Sequence, residues 1–267
     1  MRACRRRALF RCERMTETHT PAADDTLDAE VRRAEPDLWL SSRLVADLVT
    51  RTALVALYAL NAELAKVAGA ASNPLAGEIR LAWWSEEVDA LSARSRALGH
   101  PALQALSGAA PDAAALQAMI EARYVELEPR PFADEAALVA YLDGVDGGLT
   151  RAAAGLLAPD APVLLTETAR AWGWTRLLRQ RPAWRARGRD WTPASWGEAE
   201  DGEIVSHVRH RVLDALKLAR AEVGALPVAA FPAAAHVALC GSYAHGRAPS
   251  DLEKRARLLW ASLRGRV

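Results

Sequence analysis

Apolar side chains return every three or four positions along most of this chain, the spacing that lays them on one face of an α-helix. Leu57, Leu60, Leu64 and Val67 make one such stripe, and Leu81, Trp84, Val88 and Leu91 make another. No stretch of useful length alternates apolar and polar residues as a half-buried strand would. Read from breaker to breaker, the pattern predicts helices over 36–48, 51–68, 74–97, 112–127, 134–157, 162–181, 200–224, 228–244 and 250–264. Prolines at 111, 129, 131, 159, 162, 182, 193, 227 and 249 divide them. Asn73-Pro74 reads as an N-cap and first turn, because asparagine offers a side-chain acceptor and proline sits where no N–H is needed. There is no internal repeat and no linker-like stretch. The expectation is one all-helical domain over 36–267, preceded by a disordered basic and polar tail over 1–35.

Composition supports a core and excludes little else. Half of the 267 residues are hydrophobic, with alanine and leucine dominant, which favours helix. The net charge of +1 gives no reason to expect a nucleic-acid partner. The charge is unevenly spread, however. Residues 1–14 carry six arginines and one glutamate, leaving 28 basic and 32 acidic residues for the rest. Such an arginine-rich start reads as a targeting arm, as a disordered tail, or as an upstream start with Met15 as the true first residue; one of the last two is the expectation. No apolar signal core follows it, so secretion is not expected. Cys4, Cys12 and Cys240 cannot build a disulfide framework, which fits a reducing compartment such as the cytoplasm. Residues 225–246 hold no charged side chain, yet Pro227, Pro232 and His236 make a buried helix the better reading than a membrane span.

The chemistry-bearing residues are concentrated in one place. Arg176, Arg179, Arg181, Arg185, Arg187 and Arg189 crowd together among Trp174, Trp184 and Trp191. Guanidinium forks bind phosphate without a metal, so an anion site is physically sensible. Arginine and tryptophan also mark protein interfaces, and spacing alone does not make these arginines converge. A charged surface or interface is therefore the first expectation. Glu63 reads as an isolated polar residue and Glu86, Glu87 and Asp89 as a solvated helix face, with a second-site magnesium cluster of these acids as the lesser alternative. His207 and His210 read as solvated, and His236 and His245 as packing or capping residues. No phosphate loop, nucleophile elbow or zinc motif occurs.

The segment Trp174–Pro193 resembles the second aspartate-rich motif of the squalene/phytoene synthase family, L-T-N-I-L-R-D-V-G-E-D-x-x-R-G-R-x-Y-L-P, without a gap. Thr175, Leu178, Arg179, Arg187, Gly188, Arg189 and Pro193 match; Gln180 and Trp184 fall on the two aspartate positions. Trp191 and Thr192 replace the family's Tyr-Leu pair. The stretch Arg51–Val67 resembles the family's first motif, Y-A-F-C-R-x-A-D-D-x-V-D, with Tyr58 and Ala59 in register and Ala65, Lys66 and Gly69 at the aspartate positions. Gly77-Glu-Ile-Arg-Leu-Ala-Trp-Trp84 matches a further block, G-E-I-R-L-x-W-W. Leu116–Arg123 and Tyr141–Gly147 also sit where the family has similar segments.

The resemblance implies an isoprenoid-synthase-like helical bundle around a central cavity. In catalytic members two aspartate-rich helices hold magnesium, which neutralises the pyrophosphate leaving group. Here the metal-ligand set is none and the catalytic set is none: the motif positions are degenerate, and Pro182 should interrupt the helix between Gln180 and Trp184. The resemblance is closest to the non-catalytic branch that includes the mitochondrial assembly factor of respiratory complex I. That implies a pseudoenzyme without cofactor, with protein partners among complex I subunits or intermediates and peripheral association at the inner membrane. The alternatives are a residual magnesium-dependent prenyl transferase or its partner subunit, and a binder of a prenyl diphosphate or lipid. For such a ligand the candidate residues are Arg51, Tyr58, Arg176, Arg179, Arg187 and Arg189.

Overall fold

The computed structural model describes residues 23–70, 73–95, 98–128, 130–161 and 163–267. Helices α1 (Ala23–Ala34) and α2 (Pro36–Ser42) lead into the long α3 (Leu48–Ala70) and α4 (Pro74–Ala93). The short α5 (Pro101–Leu106) and α6 (Ala113–Glu121) follow, then a 3-10 turn over Tyr124–Leu127. Next, α7 (Glu135–Leu142) and α8 (Gly148–Leu157) run on as one rod through a π turn at Asp143–Gly147. The long α9 (Thr166–Arg185) and α10 (Asp201–Gly224) come after it, and α11 (Cys240–Ala244) and α12 (Asp251–Arg264) close the described chain. No strand forms among the described residues. The bundle is all-α, as the periodicity predicts.

Helix α3 is the central post. Every residue from Ala53 to Ala62 is buried, with Leu64 and Val67 continuing the seam. It passes the length and hydropathy requirement for a membrane span, but most of it is enclosed by α1, α5, α8 and α4, which identifies it as a core helix. Helix α9 is a second post and packs along α10. The Asn73 expectation holds: its Oδ1 accepts from the Ala76 N–H at 2.9 Å, and Pro74 occupies the first turn. Two helices cross closely where Gly148 faces α6. A Cβ there would meet the Ala115 carbonyl and Met119 at 2.7 Å, so only glycine fits.

Six features differ from the expectations. Residues 23–35, assigned to the disordered tail, include α1, which buries Leu27 and Val31 against α3. With only those two core contacts an apolar stripe is barely visible in the sequence. The helix is tied down by Asp28, which accepts from Trp39 Nε1 (2.9 Å) and pairs with Arg43 (2.7 Å). Helix α5 was unforeseen because it is a single capped turn and a half. The run 36–48 stops at Ser42, and 112–127 splits into α6 and a 3-10 turn. The charge-free segment 225–246 is buried in its second half but breaks into 3-10 turns over Val228–Leu239 before α11, the result of Pro227 and Pro232. Finally, Pro182 does not end α9, which runs through it to Arg185. The arginine-rich segment 1–14, Met15, Cys4 and Cys12 lie outside the described residues.

Candidate functional site

Helices α3 and α9 stand apart, and a cavity of about 610 Å³ fills the gap, a volume in the range of ligand pockets. The C-terminal half of α3 supplies Asn61, Ala65, Lys66 and Gly69 to one wall. The opposite wall is Arg176, Gln180 and Trp184 of α9, at i, i+4 and i+8 on one face. All five degenerate motif positions therefore look into one space, and the i, i+4 geometry survives Pro182. The loop after α9 brings in Arg187 and Arg189, and the end of α1 contributes Glu35.

The floor is a buried polar network. Arg176 forks onto Asp146 through Nε (2.9 Å) and Nη2 (2.7 Å). Two features of the local chain make this possible. The π turn aims Asp146 at α9, and Gly173 leaves room for it, since a Cβ at that position would lie 2.8 Å from Asp146 Oδ2. Burial opposes the charge on Arg176, but Asp146 and Tyr141 outweigh it, and the guanidinium titrates well above its ordinary range. Beside it Arg123 donates to Glu126 (2.9 Å) and to Asn61 Oδ1 (2.9 Å), and Glu126 also accepts from Tyr141 Oη at 2.7 Å. Both acids are thus fully engaged by protein cations and hydroxyls.

The rim is different. The Arg187 guanidinium makes no hydrogen bond or ion pair among the described residues, although its backbone N–H donates to the Trp184 carbonyl at 3.0 Å. Its Nη1 stands 3.3 Å from the point where a Cβ on Gly69 would lie. A guanidinium therefore covers the position at which the family resemblance expects a carboxylate. Lys66 at the neighbouring motif position pairs with Glu63 and adds positive charge to the wall. Arg189 donates to the Glu126 carbonyl. Glu35 is half-buried, and its side chain makes no hydrogen bond among the described residues. Desolvation lifts its pKa to about 7 against the pull of Arg176, Arg123 and Arg179.

These residues do not fit a magnesium cluster. A hard divalent cation needs several free oxygen ligands. Across this cavity Lys66, Arg123, Arg176, Arg187 and Arg189 face two acids: Glu35, whose charged form burial disfavours, and Glu126, which is already paired. Among the described residues no group of three or more Asp, Glu, His or Cys comes together. The arrangement can instead coordinate a phosphate-type anion by arginine forks.

Three of the six candidate ligand residues, Arg176, Arg187 and Arg189, meet at the cavity. The other three do not. Arg179 points to the far side of α9, where it pairs with buried Asp37 at 2.9 Å and lies over the Tyr243 ring at 4.3 Å. Tyr58 is enclosed in the core with no partner for its hydroxyl. Arg51 donates to the Val45 carbonyl (3.4 Å) and faces a separate groove near the start of α3. Arg181 and Arg185 both grip Asp201 at the head of α10, and buried Trp191, under the Arg181 guanidinium, anchors the loop. Thus part of the arginine cluster lines the cavity and part holds neighbouring helices and the following loop.

Glu35, Arg123, Glu126 and Asp146 were not singled out from sequence. The signal available was that Arg123 and Asp146 sit in the two shorter family-like blocks. Glu87, expected as solvated, is buried and accepts from the Gly99 N–H at 2.7 Å. His207 is exposed and bonds Glu135 at 3.1 Å; His236 is buried against Trp172 with its pKa pushed down to about 4 by desolvation.

Comparison with known proteins agrees with this architecture. A family model described as squalene/phytoene synthase matches residues 31–245. A dehydrosqualene synthase crystallised with a ligand superposes with a TM-score of 0.68 at 13% identity, covering 91% of this chain and 96% of that one. The squalene synthase HpnC from Alicyclobacillus acidocaldarius gives 0.63 at 17% identity, covering 91% and 94%. At these identities the likeness is one of fold. No curated protein matches the sequence.

Proposed function

Since this chain belongs to the squalene/phytoene synthase family, we propose that it is a non-catalytic member. Its cavity binds a phosphate-headed ligand, a prenyl diphosphate or a lipid headgroup, by arginines in place of metal. The observation that carries this reading is the Arg187 guanidinium, unpaired and poised over Gly69. Aspartates at the motif positions would attract cations, whereas Lys66, Arg187 and Arg189 repel them and attract the anion directly. Ionising an allylic diphosphate without metal would forgo several kcal/mol of leaving-group stabilisation, on the order of the metal's usual contribution.

The role that follows is that of a binding or assembly module, of the kind the resemblance to the complex I assembly branch implies. Purified protein mixed with labelled farnesyl or geranylgeranyl diphosphate in the presence of a chelator should bind without releasing pyrophosphate. Release that depends on added magnesium would end the non-catalytic reading. For the assembly role, deletion of the gene should lower NADH-driven respiration and complex I content; unchanged levels would count against it.

A further inference from the structure

Helix α12 has two apolar faces where one suffices. At about 100° per residue, Leu258 and Ala261 fall on the side that packs against the bundle, and both are buried. Lys254 lies on the same side, its ammonium 2.9 Å from buried Asp37. The opposite side carries Leu252, Ala256, Leu259, Trp260 and Leu263, spaced i, i+4, i+7, i+8 and i+11. All are exposed, Leu252 and Leu263 to about four fifths of their surface (79% and 82%). A solvent-facing helix side is normally polar, and a contiguous apolar stripe there marks something that covers it.

The charges around the stripe say what kind of cover. Arg255 flanks one edge and Arg264 the other, its guanidinium 4.1 Å from the Trp260 ring. Beyond Trp260 a groove shared with α10 is lined by Lys217, Arg220, Arg264 and Arg266, with no acidic residue. None of these five cations has an ion pair among the described residues. A convex helix with leucines and a tryptophan outward and arginines along both edges matches the chemistry of an anionic bilayer surface. The side chains would enter the headgroup boundary and the guanidinia would meet phosphates.

We propose that α12 is a membrane-docking face that seats the protein on anionic lipid. This is independent of the cavity, because α12 lies behind α9 on the side of Arg179 and Asp37.

The test is co-sedimentation of the full chain with phosphatidylcholine vesicles with and without phosphatidylglycerol. Binding should require the anionic lipid and fall with added salt. Replacing Leu259 and Leu263 together with Glu should reduce it about a hundredfold, from the lost burial of two leucines. Arg264→Gln with Arg266→Gln should reduce it about twenty-five-fold, at roughly fivefold per charge. These positions are exposed, so circular dichroism and melting should stay as in the parent, which separates lost docking from lost folding. Vesicle binding lost in Arg187→Ala but kept in the double-Glu variant would assign the lipid contact to the cavity and overturn the proposal. Parent protein left in the supernatant with anionic vesicles, or a double-Glu variant that binds like the parent, would overturn the proposal. So would sedimentation showing a dimer that the double-Glu variant dissolves, since the stripe would then belong to a second copy.

Discussion

Arg179 and Arg187 sit only eight residues apart in one arginine-rich segment, and both match the family pattern, yet they serve opposite ends. Arg179 leaves the opposite face of α9 and is itself partly exposed, but buried Asp37 receives it together with Lys254 (2.9 Å) and Tyr243 Oη (2.7 Å), tying α2, α9, α11 and α12 into one knot. Arg187 hangs at the cavity rim with nothing of its own to bind. A charge with a full set of partners holds a fold; a charge held in place without partners is available to a ligand. The difference is not in residue type or local spacing. It lies in which side of α9 each one leaves and what waits there.

The largest expected effect breaks the structural side of this contrast. Asp37→Ala leaves Arg179 and Lys254 facing each other without their acid, and should cost about 3 kcal/mol of stability in urea unfolding. Diphosphate affinity of the remaining folded protein should change little. An Asp37→Ala protein as stable as the parent would remove the distinction.

Breaking the other side should do the reverse. Arg187→Ala should weaken farnesyl diphosphate binding by about tenfold or more, as expected for one charge-assisted contact, with an unchanged melting curve. Calorimetry in the presence of a chelator reads this directly. Equal affinity in the two proteins would mean that the rim arginine is not part of the site.

Glu35 sharpens the comparison through pH. Its folded pKa, about 7, lies above the ordinary value of 4.5, so the folded state holds the extra proton between those limits. Its contribution to stability is complete below pH 4.5 and is lost as pH rises through 7. Buried His236, depressed to about 4, acts with the opposite sign between 4 and 6.5, so the two must be separated by mutation. Glu35→Gln should therefore be more stable than the parent at pH 8, by about 1 kcal/mol once the roughly 3 kcal/mol of the full shift is discounted for the partial solvent access of Glu35, and nearly equal to it at pH 4.5. It should also bind diphosphate more tightly at pH 8. A parallel offset at both pH values would exclude a titrating Glu35.

The smallest change is Gly69→Asp, which restores one motif carboxylate. The new carboxylate should pair with Arg187, whose flexible end can yield the few tenths of an ångström required. Diphosphate affinity should drop severalfold and stability should stay within about 0.5 kcal/mol. Magnesium-dependent affinity gained by this single substitution would show that the site is closer to a metal centre than its charges suggest.

Much of this molecule was legible before any coordinates. The helical period, the Asn73 cap and the paired loss of motif aspartates depend on neighbours within one or two turns, and such local relations are written directly in residue order. Helix α1 escaped notice because two contacts, Leu27 and Val31, hold it, and a stripe of two is no pattern. Residue order alone expects Pro182 to interrupt α9, but packing along α10 holds the helix through a residue that disfavours it on its own. Which arginines converge, that Glu35 sits beside Arg176 and Arg123, and that Arg187 lies over Gly69 were decided only by the tertiary structure. These residues are separated by up to about 150 positions, and electrostatics acts through space while the sequence records only distance along the chain.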